Sequence, residues 1–183
     1  IASDINKGPL ENARQTLVDC GISDKVKLVL SDGLKNIEEN AADDIVIAGM
    51  GGILIAEILE NAPWVKNKNI HIVAQPMTHA EVLRKWLCES GFRIKKEVAS
   101  TDGKRVYVAI SAEYTGESFP CSKAYCYVGE LLKNNDEFSW KYIDKTLTAL
   151  QKKYTAQQNA GLSDEEGLRE IISEINALIG RNL

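Results

Sequence analysis

The sequence predicts an α/β protein with parallel strands, an antiparallel β-hairpin after them, and a helical hairpin at the end. Three observations predict this. Up to about residue 114, short apolar runs alternate with amphipathic stretches, and successive strand–helix units supply the crossovers that parallel neighbours need. Asp102-Gly103 lies between two alternating runs, a strong hairpin signal. Beyond residue 121 the apolar residues shift to 3-4-3-4 spacing, the period of a helix seam.

Taken in order, "IASD" reads as a short strand ending in an acid. Pro9 suits a first helical turn and opens "PLENARQTLVDCG", with Leu10, Ala13 and Leu17 at helical spacing and Gly21 as a stop. "KVKLVLSDG" is a strand with Val26, Leu28 and Leu30 on one face. "DDIVIAGMGG" is a strand running into a glycine loop, followed by the apolar helix "ILIAEILEN". "NIHIVAQP" is a further strand, closed by Pro76. Thr78 and Glu81 have the spacing of a capping box and open "HAEVLRKWLCES", with Val82, Trp86 and Leu87 inward and Gly91 at its end. "FRIKKEVASTDGKRVYVAISAEY" supplies the hairpin. A sheet connected in this way requires helices on both faces.

Trp140, Ile143, Leu147, Leu150 and Tyr154 then line one long helix. "NAGLSDEEG" interrupts it, with Ser163 and Glu166 as a second capping box, and Leu168, Ile171, Ile175 and Leu178 line the next helix. The chain therefore divides into residues 1–117 and a coiled-coil-like antiparallel helical hairpin, residues 118–183, which is either a stabilising or dimerising appendage or a docking arm. A monomer, or a weak dimer through these helices, is expected.

The 183 residues carry a net charge of −4 with 26% charged and 44% hydrophobic residues, an ordinary globular composition with no global basic field. Any RNA partner must meet local patches: Lys141, Lys145, Lys152 and Lys153 on the long helix, and Lys95, Lys96, Lys104 and Arg105 near the hairpin turn. The four cysteines form no CxxC pair and no His/Cys cluster in the sequence, so no metal site and no disulfide framework is expected. No apolar run approaches the length of a membrane span, and a reducing, cytoplasmic setting is the expectation.

In open parallel sheets, ligands bind at the carboxyl ends of the strands. The residues there are Asp4, Asp32-Gly33, Gly49-Met50-Gly51-Gly52 and Gln75-Pro76. A carboxylate with two oxygens suits the vicinal hydroxyls of a ribose, and an acid after the neighbouring strand suits an adenine amino group. Each acid alone reads as a cap or turn residue; the ordered series is what points to a nucleoside. The glycine loop is not a dinucleotide fingerprint, because position 54 is Leu54. It is not a P-loop, since no GK[ST] follows, and an oxyanion loop would lack its nucleophile. A tight strand-to-helix turn in which glycines allow close packing stays open. His71, at a strand start, reads as structural. His79 begins a helix, where the dipole disfavours imidazolium, and is left out of catalysis.

"ASDINKGPLENA", "LSDGL", "IAGMGGILIAEIL" and "QPMTHAEVLRKWL" together resemble the bacterial tRNA (adenine-22-N1)-methyltransferase family, Rossmann-like enzymes that use S-adenosylmethionine. The resemblance implies that Asp4 and Ile5 hold the cofactor ribose, and that Asp32, Gly33 and Gly49 flank the rest of its nucleoside. It places Gly49, Met50, Gly51 and Gly52 where related enzymes acting on adenine amino groups carry an Asn/Asp-Pro-Pro-aromatic motif, on the substrate side of the site. The expectation drawn from this is a target adenine out of its stack, lying against Gly49, Met50 and Gly51 with Gln75 at its edge. Methyl transfer to N1 of a tRNA adenine then needs mainly alignment, because N1 already carries an in-plane lone pair, and no general base is named. Two other readings are a non-catalytic domain of this shape that binds RNA or protein, and a methyltransferase for a non-RNA substrate. The family has an earlier strand and a glycine-containing loop that hold the methionine end of the cofactor. A further N-terminal segment is therefore expected, without which the two halves of the sheet lose their bridge.

Overall fold

The computed structural model describes residues 1–39 and 41–180. The elements follow the expected order: β1 (Ala2–Asp4), α1 (Lys7–Asp19), β2 (Leu28–Leu30), β3 (Asp44–Gly51), α2 (Gly52–Glu60), β4 (His71–Thr78), α3 (Ala80–Glu89), β5 (Phe92–Asp102), β6 (Arg105–Tyr114), α4 (Lys123–Val128), α5 (Glu137–Asn159) and α6 (Leu168–Leu178). The short helix α4 and the 3-10 turns at Pro63–Val65 and Gly129–Lys133 are too brief for a periodicity reading to detect.

β3 and β4 pair in parallel across the α2 crossover, with Ile45 opposite Ile72 and Ile47 opposite Ala74. β6 inserts antiparallel between β4 and β5, so this sheet runs β3-β4-β6-β5. Its hairpin turns at Gly103-Lys104, between paired Asp102 and Arg105. The positive φ of Gly103, 56°, is a conformation such two-residue turns favour and that glycine adopts without strain. β1 and β2 form a separate two-stranded parallel sheet, with Asp4 opposite Leu30; among the described residues no strand pairing joins it to β3.

The core is continuous from the four-stranded sheet into the C-terminal helices. α2 packs on β3 and β4, α3 on β4 and β5, and α5 on β5, β6 and α6. Ile45, Ile72, Leu83, Ile110, Ile143 and Ile175 all belong to one buried cluster. The long-helix seam is buried at Ile143, Leu147 and Leu150, and the second helix at Leu168, Ile171 and Ile175, while Leu178 at its end stays exposed.

Four local expectations are corrected. Among the described residues, helices do not cover both faces along β3: Val46 is 68% exposed and α1 buries no residue, its main contacts being with β1 and β2. On α3 the inward stripe is Ala80, Leu83, Arg84, Leu87 and Cys88, and Val82 faces out. Thr78 caps nothing, since it ends β4 and the N-cap is His79 in a left-handed conformation, φ 53°. At α6 the capping carboxylate is Asp164, which accepts from Leu168 N–H at 2.7 Å and Arg169 N–H at 2.9 Å; Glu166 instead pairs with Lys153. A side chain with two acceptors satisfies two orphan donors at once, which a serine hydroxyl at this spacing does not.

Candidate functional site

The carboxyl ends of β1 and β2, with residues of β3 between Ile45 and Met50, line one cavity of about 390 Å³ whose wall includes Asp4, Ile5, Asp32, Gly33, Val46 and Met50. Its lining is drawn from both sheets. Asp4 closes β1, and its Oδ1 accepts from Asn6 N–H at 2.7 Å, an Asx turn that reverses the chain into α1 and fixes the carboxylate at the strand end. Past β2, buried Ser31 ties the loop together: its hydroxyl donates to the Gly33 carbonyl at 2.9 Å and accepts from Asn36 N–H at 3.0 Å. Gly33 has φ 58°, and a Cβ there would meet Ile58 at 2.8 Å, so both conformation and space require glycine. Asp32 is exposed and pairs with Lys35 at 2.5 Å.

The glycines of the third strand do three different things. β3 runs through them rather than ending before them, with a register shift between Ala48 and Met50. Gly49, at φ 79°, forms the bulge, has open space where a Cβ would stand, and donates its N–H to Gln75 Oε1 at 3.1 Å. Met50 points into the cavity lining. Gly51 would place a Cβ 3.2 Å from Thr78 Oγ1. Gly52 is buried, and a Cβ would lie 2.2 Å from the His79 carbonyl oxygen; it permits close approach of α2 to the β4–α3 junction. Gly52 therefore belongs to the packing of that junction and does not line the cavity. Gly49, Gly51 and Gln75 also lie outside the lining; Gln75 satisfies the Gly49 bulge and donates to the Pro76 carbonyl at 3.2 Å, so its amide is engaged in holding the loop.

His71 is structural, as its position implied. Nδ1 contacts Asp44 Oδ1 at 3.0 Å and Nε2 contacts Ser111 Oγ at 2.8 Å, clamping β3, β4 and β6 at the end away from the cavity. His79 pairs with Glu81 at 3.0 Å and lines a second cleft of about 410 Å³, between the β4–α3 junction and α5, with Tyr127, Tyr142, Lys145 and Lys153. The second basic group is not one patch. Lys96 lies opposite Ser111 while Arg105 lies opposite Asp102, so about six residues of strand, roughly 20 Å, separate them, and Lys95 is paired with Glu113 at 3.3 Å.

What the sequence reading missed is a buried ionic centre behind this cleft. Arg84 and Glu97 side chains are both 0% exposed. Arg84 Nε donates to Glu97 Oε1 at 2.7 Å, and its Nη1 to the carbonyls of Cys126 and Tyr127, each at 2.9 Å. Burial works against the guanidinium charge, but Glu97 and Tyr142 outweigh it and hold the pKa above its ordinary value. Gly129, φ 55°, sits so close that a Cβ would overlap Glu97 and Arg84. The signals were slight: an arginine on the apolar stripe of α3, and a glutamate brought to the buried face of β5 by a bulge between Ile94 and Lys96.

Parallel strand–helix units, an inserted antiparallel strand and carboxylates at the strand ends define a Rossmann-like α/β domain, a class in which ligands bind at the carboxyl edge of the sheet. The chain belongs to the methyltransferase-domain family, whose model matches residues 1–110. The tRNA (adenine(22)-N(1))-methyltransferase of Bacillus subtilis (strain 168) is 34% identical over 113 residues, 62% of this chain and 48% of that protein; the match spans about half the length of this curated relative. A Streptococcus agalactiae protein of the NADB-Rossmann superfamily superposes with a TM-score of 0.82 at 27% identity, covering 97% of this chain and 78% of its own. A Streptococcus pneumoniae candidate tRNA (m1A22) methyltransferase, solved with S-adenosyl-L-methionine, superposes with a TM-score of 0.79 at 26% identity, covering 97% and 79%.

Proposed function

We propose that this protein transfers a methyl group from S-adenosylmethionine to N1 of an adenine in tRNA. The observation that carries the reading is the convergence of Asp4, Asp32-Gly33 and Met50 on one cavity, in a chain similar to tRNA adenine-N1-methyltransferases. The donor set fits the nucleoside half of the cofactor: Asp4 offers carboxylate oxygens to a ribose diol, and Ile5, Val46 and Met50 offer apolar walls to an adenine ring. Asp32 would have to leave Lys35, or share it, to meet the adenine amino group. When bound, the cofactor supplies an electrophilic methyl group. The chain then has to hold donor and base in line, and alignment alone is worth several kcal/mol.

The target base would enter over the Gly49 bulge, where the missing side chain leaves open space, extruded from its stack as such chemistry requires. The cleft bearing Tyr127, Tyr142, Lys145 and Lys153 supports an RNA role for α5, since aromatic faces stack on bases and lysines meet phosphates. Within this reading Gln75 acts on the base indirectly, as a positioning residue that shapes the Gly49 backbone.

Incubation with labelled S-adenosylmethionine and bulk tRNA, followed by nucleoside analysis, tests the proposal. The expected product is 1-methyladenosine. Asp4→Asn keeps an acceptor for Asn6 N–H but removes the charge. Its cofactor binding by calorimetry should weaken about 10- to 100-fold, the range for losing a charge-assisted hydrogen bond, with the fold intact. A different methylated nucleoside, or unchanged binding by Asp4→Asn, refutes the reading.

A further inference from the structure

Three of the four cysteines meet at one place, although nothing in their spacing announces it. Cys88 lies at the end of α3, Cys121 just ahead of α4 and Cys126 within α4. The Sγ atoms of Cys121 and Cys126 are 2.8 Å apart, and Cys88 lies beside them, its carbonyl accepting from Phe119 N–H at 3.3 Å and its thiol close enough to bear on that of Cys121. The local reason is helix capping. Ser122 caps α4, its hydroxyl accepting from Tyr125 N–H at 3.1 Å. Cys121 is therefore the residue before the cap and Cys126 the fourth residue of the helix, the two positions that pack together as a hydrophobic staple. Here both halves of the staple are sulfur.

Access is graded. Cys88 is 0% and Cys126 7% exposed, whereas Cys121 is half-buried and lines a cavity of about 540 Å³ beside Arg93, Lys95, Phe119 and Tyr125. The thiol that solvent reaches is the one in contact with Cys126. Cys20, exposed at the end of α1, is remote in the chain and provides an internal comparison.

We propose that Cys121 and Cys126 form a thiol–disulfide exchange site for low-molecular-weight disulfides, with Cys88 buried beside them and left reduced. Cys121 sulfur attacks one sulfur of a small disulfide RSSR; the S–S bond breaks, RS⁻ leaves and takes up the Cys121 proton as RSH. Cys126 sulfur then attacks Sγ of the mixed disulfide and displaces the second RS⁻, which takes up the Cys126 proton. Two protein thiols are oxidised to one disulfide, and RSSR is reduced to two RSH. The product is a covalent staple on the first turn of α4, whose carbonyls at Cys126 and Tyr127 hold Arg84.

The Cys126 contact favours ionisation of Cys121, but the neighbouring Cys88 thiol and burial outweigh it and push the thiol up to about 12. Since the thiolate is the attacking species, the exchange is slow near neutrality and quickens as pH rises.

The experiment treats the reduced protein with oxidised glutathione, unfolds it in excess alkylating reagent to cap the remaining thiols, and maps peptides by mass spectrometry. The expected result is a Cys121–Cys126 cross-link with loss of two hydrogens, forming faster at higher pH, with Cys88 still alkylatable. In Cys126→Ser, and in Cys126→Ala should the serine variant fold poorly, the reaction should stop at a glutathione adduct on Cys121. Glutathione on Cys20 alone, a stable adduct on Cys121 in the unaltered protein, or a cross-link through Cys88 overturns the proposal.

Discussion

Removing the Arg84 guanidinium is the sharpest test of how the C-terminal helices are held to the sheet. Arg84→Met keeps most of the side-chain length on α3 but leaves Glu97 charged in a site where both side chains are 0% exposed. Glu97 keeps only the Glu130 N–H, at 2.9 Å, and the carbonyls of Cys126 and Tyr127 lose their shared donor. Breaking one side of a buried pair costs about 3–5 kcal/mol. For a chain of this length that is a fall in Tm of roughly 6–20 °C. Glu97→Leu should cost a similar amount, stranding the cation. The double variant removes both charges, and its remaining losses are the three backbone groups. It should cost about as much as one single variant, so the coupling energy equals the cost of one single variant, about 3–5 kcal/mol, at or above the top of the usual range for contacting residues. Urea unfolding of the four proteins, read at constant m-value, measures this. Strict additivity, or single losses below about 1 kcal/mol, where exposed ion pairs lie, refutes the claim that this pair is a desolvated, mutually dependent unit.

Gly52→Ala should give little soluble protein, because the new Cβ meets the His79 backbone at 2.2 Å; Gly49→Ala meets no neighbour and should fold with a loss of about 1–2 kcal/mol for its left-handed backbone, measurable by thermal melting. Asp136 accepts from the Ser139 hydroxyl and from Ser139 and Phe138 N–H, and these bonds hold its carboxyl below the usual range. Asp164 is lowered likewise by the Arg169 and Leu168 N–H groups. A folded value below the unfolded one stabilises above the ordinary aspartate value of about 3.9 and fades as pH falls through the depressed values. Urea midpoints across the acid range should therefore drop less steeply in Asp136→Asn and Asp164→Asn than in the parent. Lys145→Gln and Lys153→Gln should each weaken tRNA binding and reduce the log–log salt slope by about 0.9 for each phosphate no longer neutralised; an unchanged slope in titrations at several salt concentrations argues against that cleft as the RNA surface.

Much of the candidate site was legible because it depends on local rules. An acid or Asp-Gly at the end of an apolar run is a strand terminus whatever packs around it, and Asp4, Asp32 and Gly33 do meet in one cavity. The glycine stretch was legible only as a region. Its three glycines have different jobs because the bulge at Gly49 and the approach of His79 to Gly52 depend on β4 and α3, which lie more than twenty residues away. Gln75 was expected at a base edge; its amide oxygen accepts from the Gly49 N–H, a contact that sequence order does not announce.

Element order, the parallel-then-antiparallel strand pattern and the seams of α5 and α6 could be read along the chain, since hydrophobic period, turn chemistry and crossover length act over a few residues. Where side chains from distant segments come together was settled by packing. It set Arg84 against Glu97 through a bulge in β5, gathered Cys88 with the Cys121–Cys126 staple, and kept Lys96 on β5 well apart from Arg105 at the turn end of β6. Those outcomes follow from the packing of α3, α4 and α5 on the sheet, where a one-residue shift in register exchanges a buried face for an exposed one.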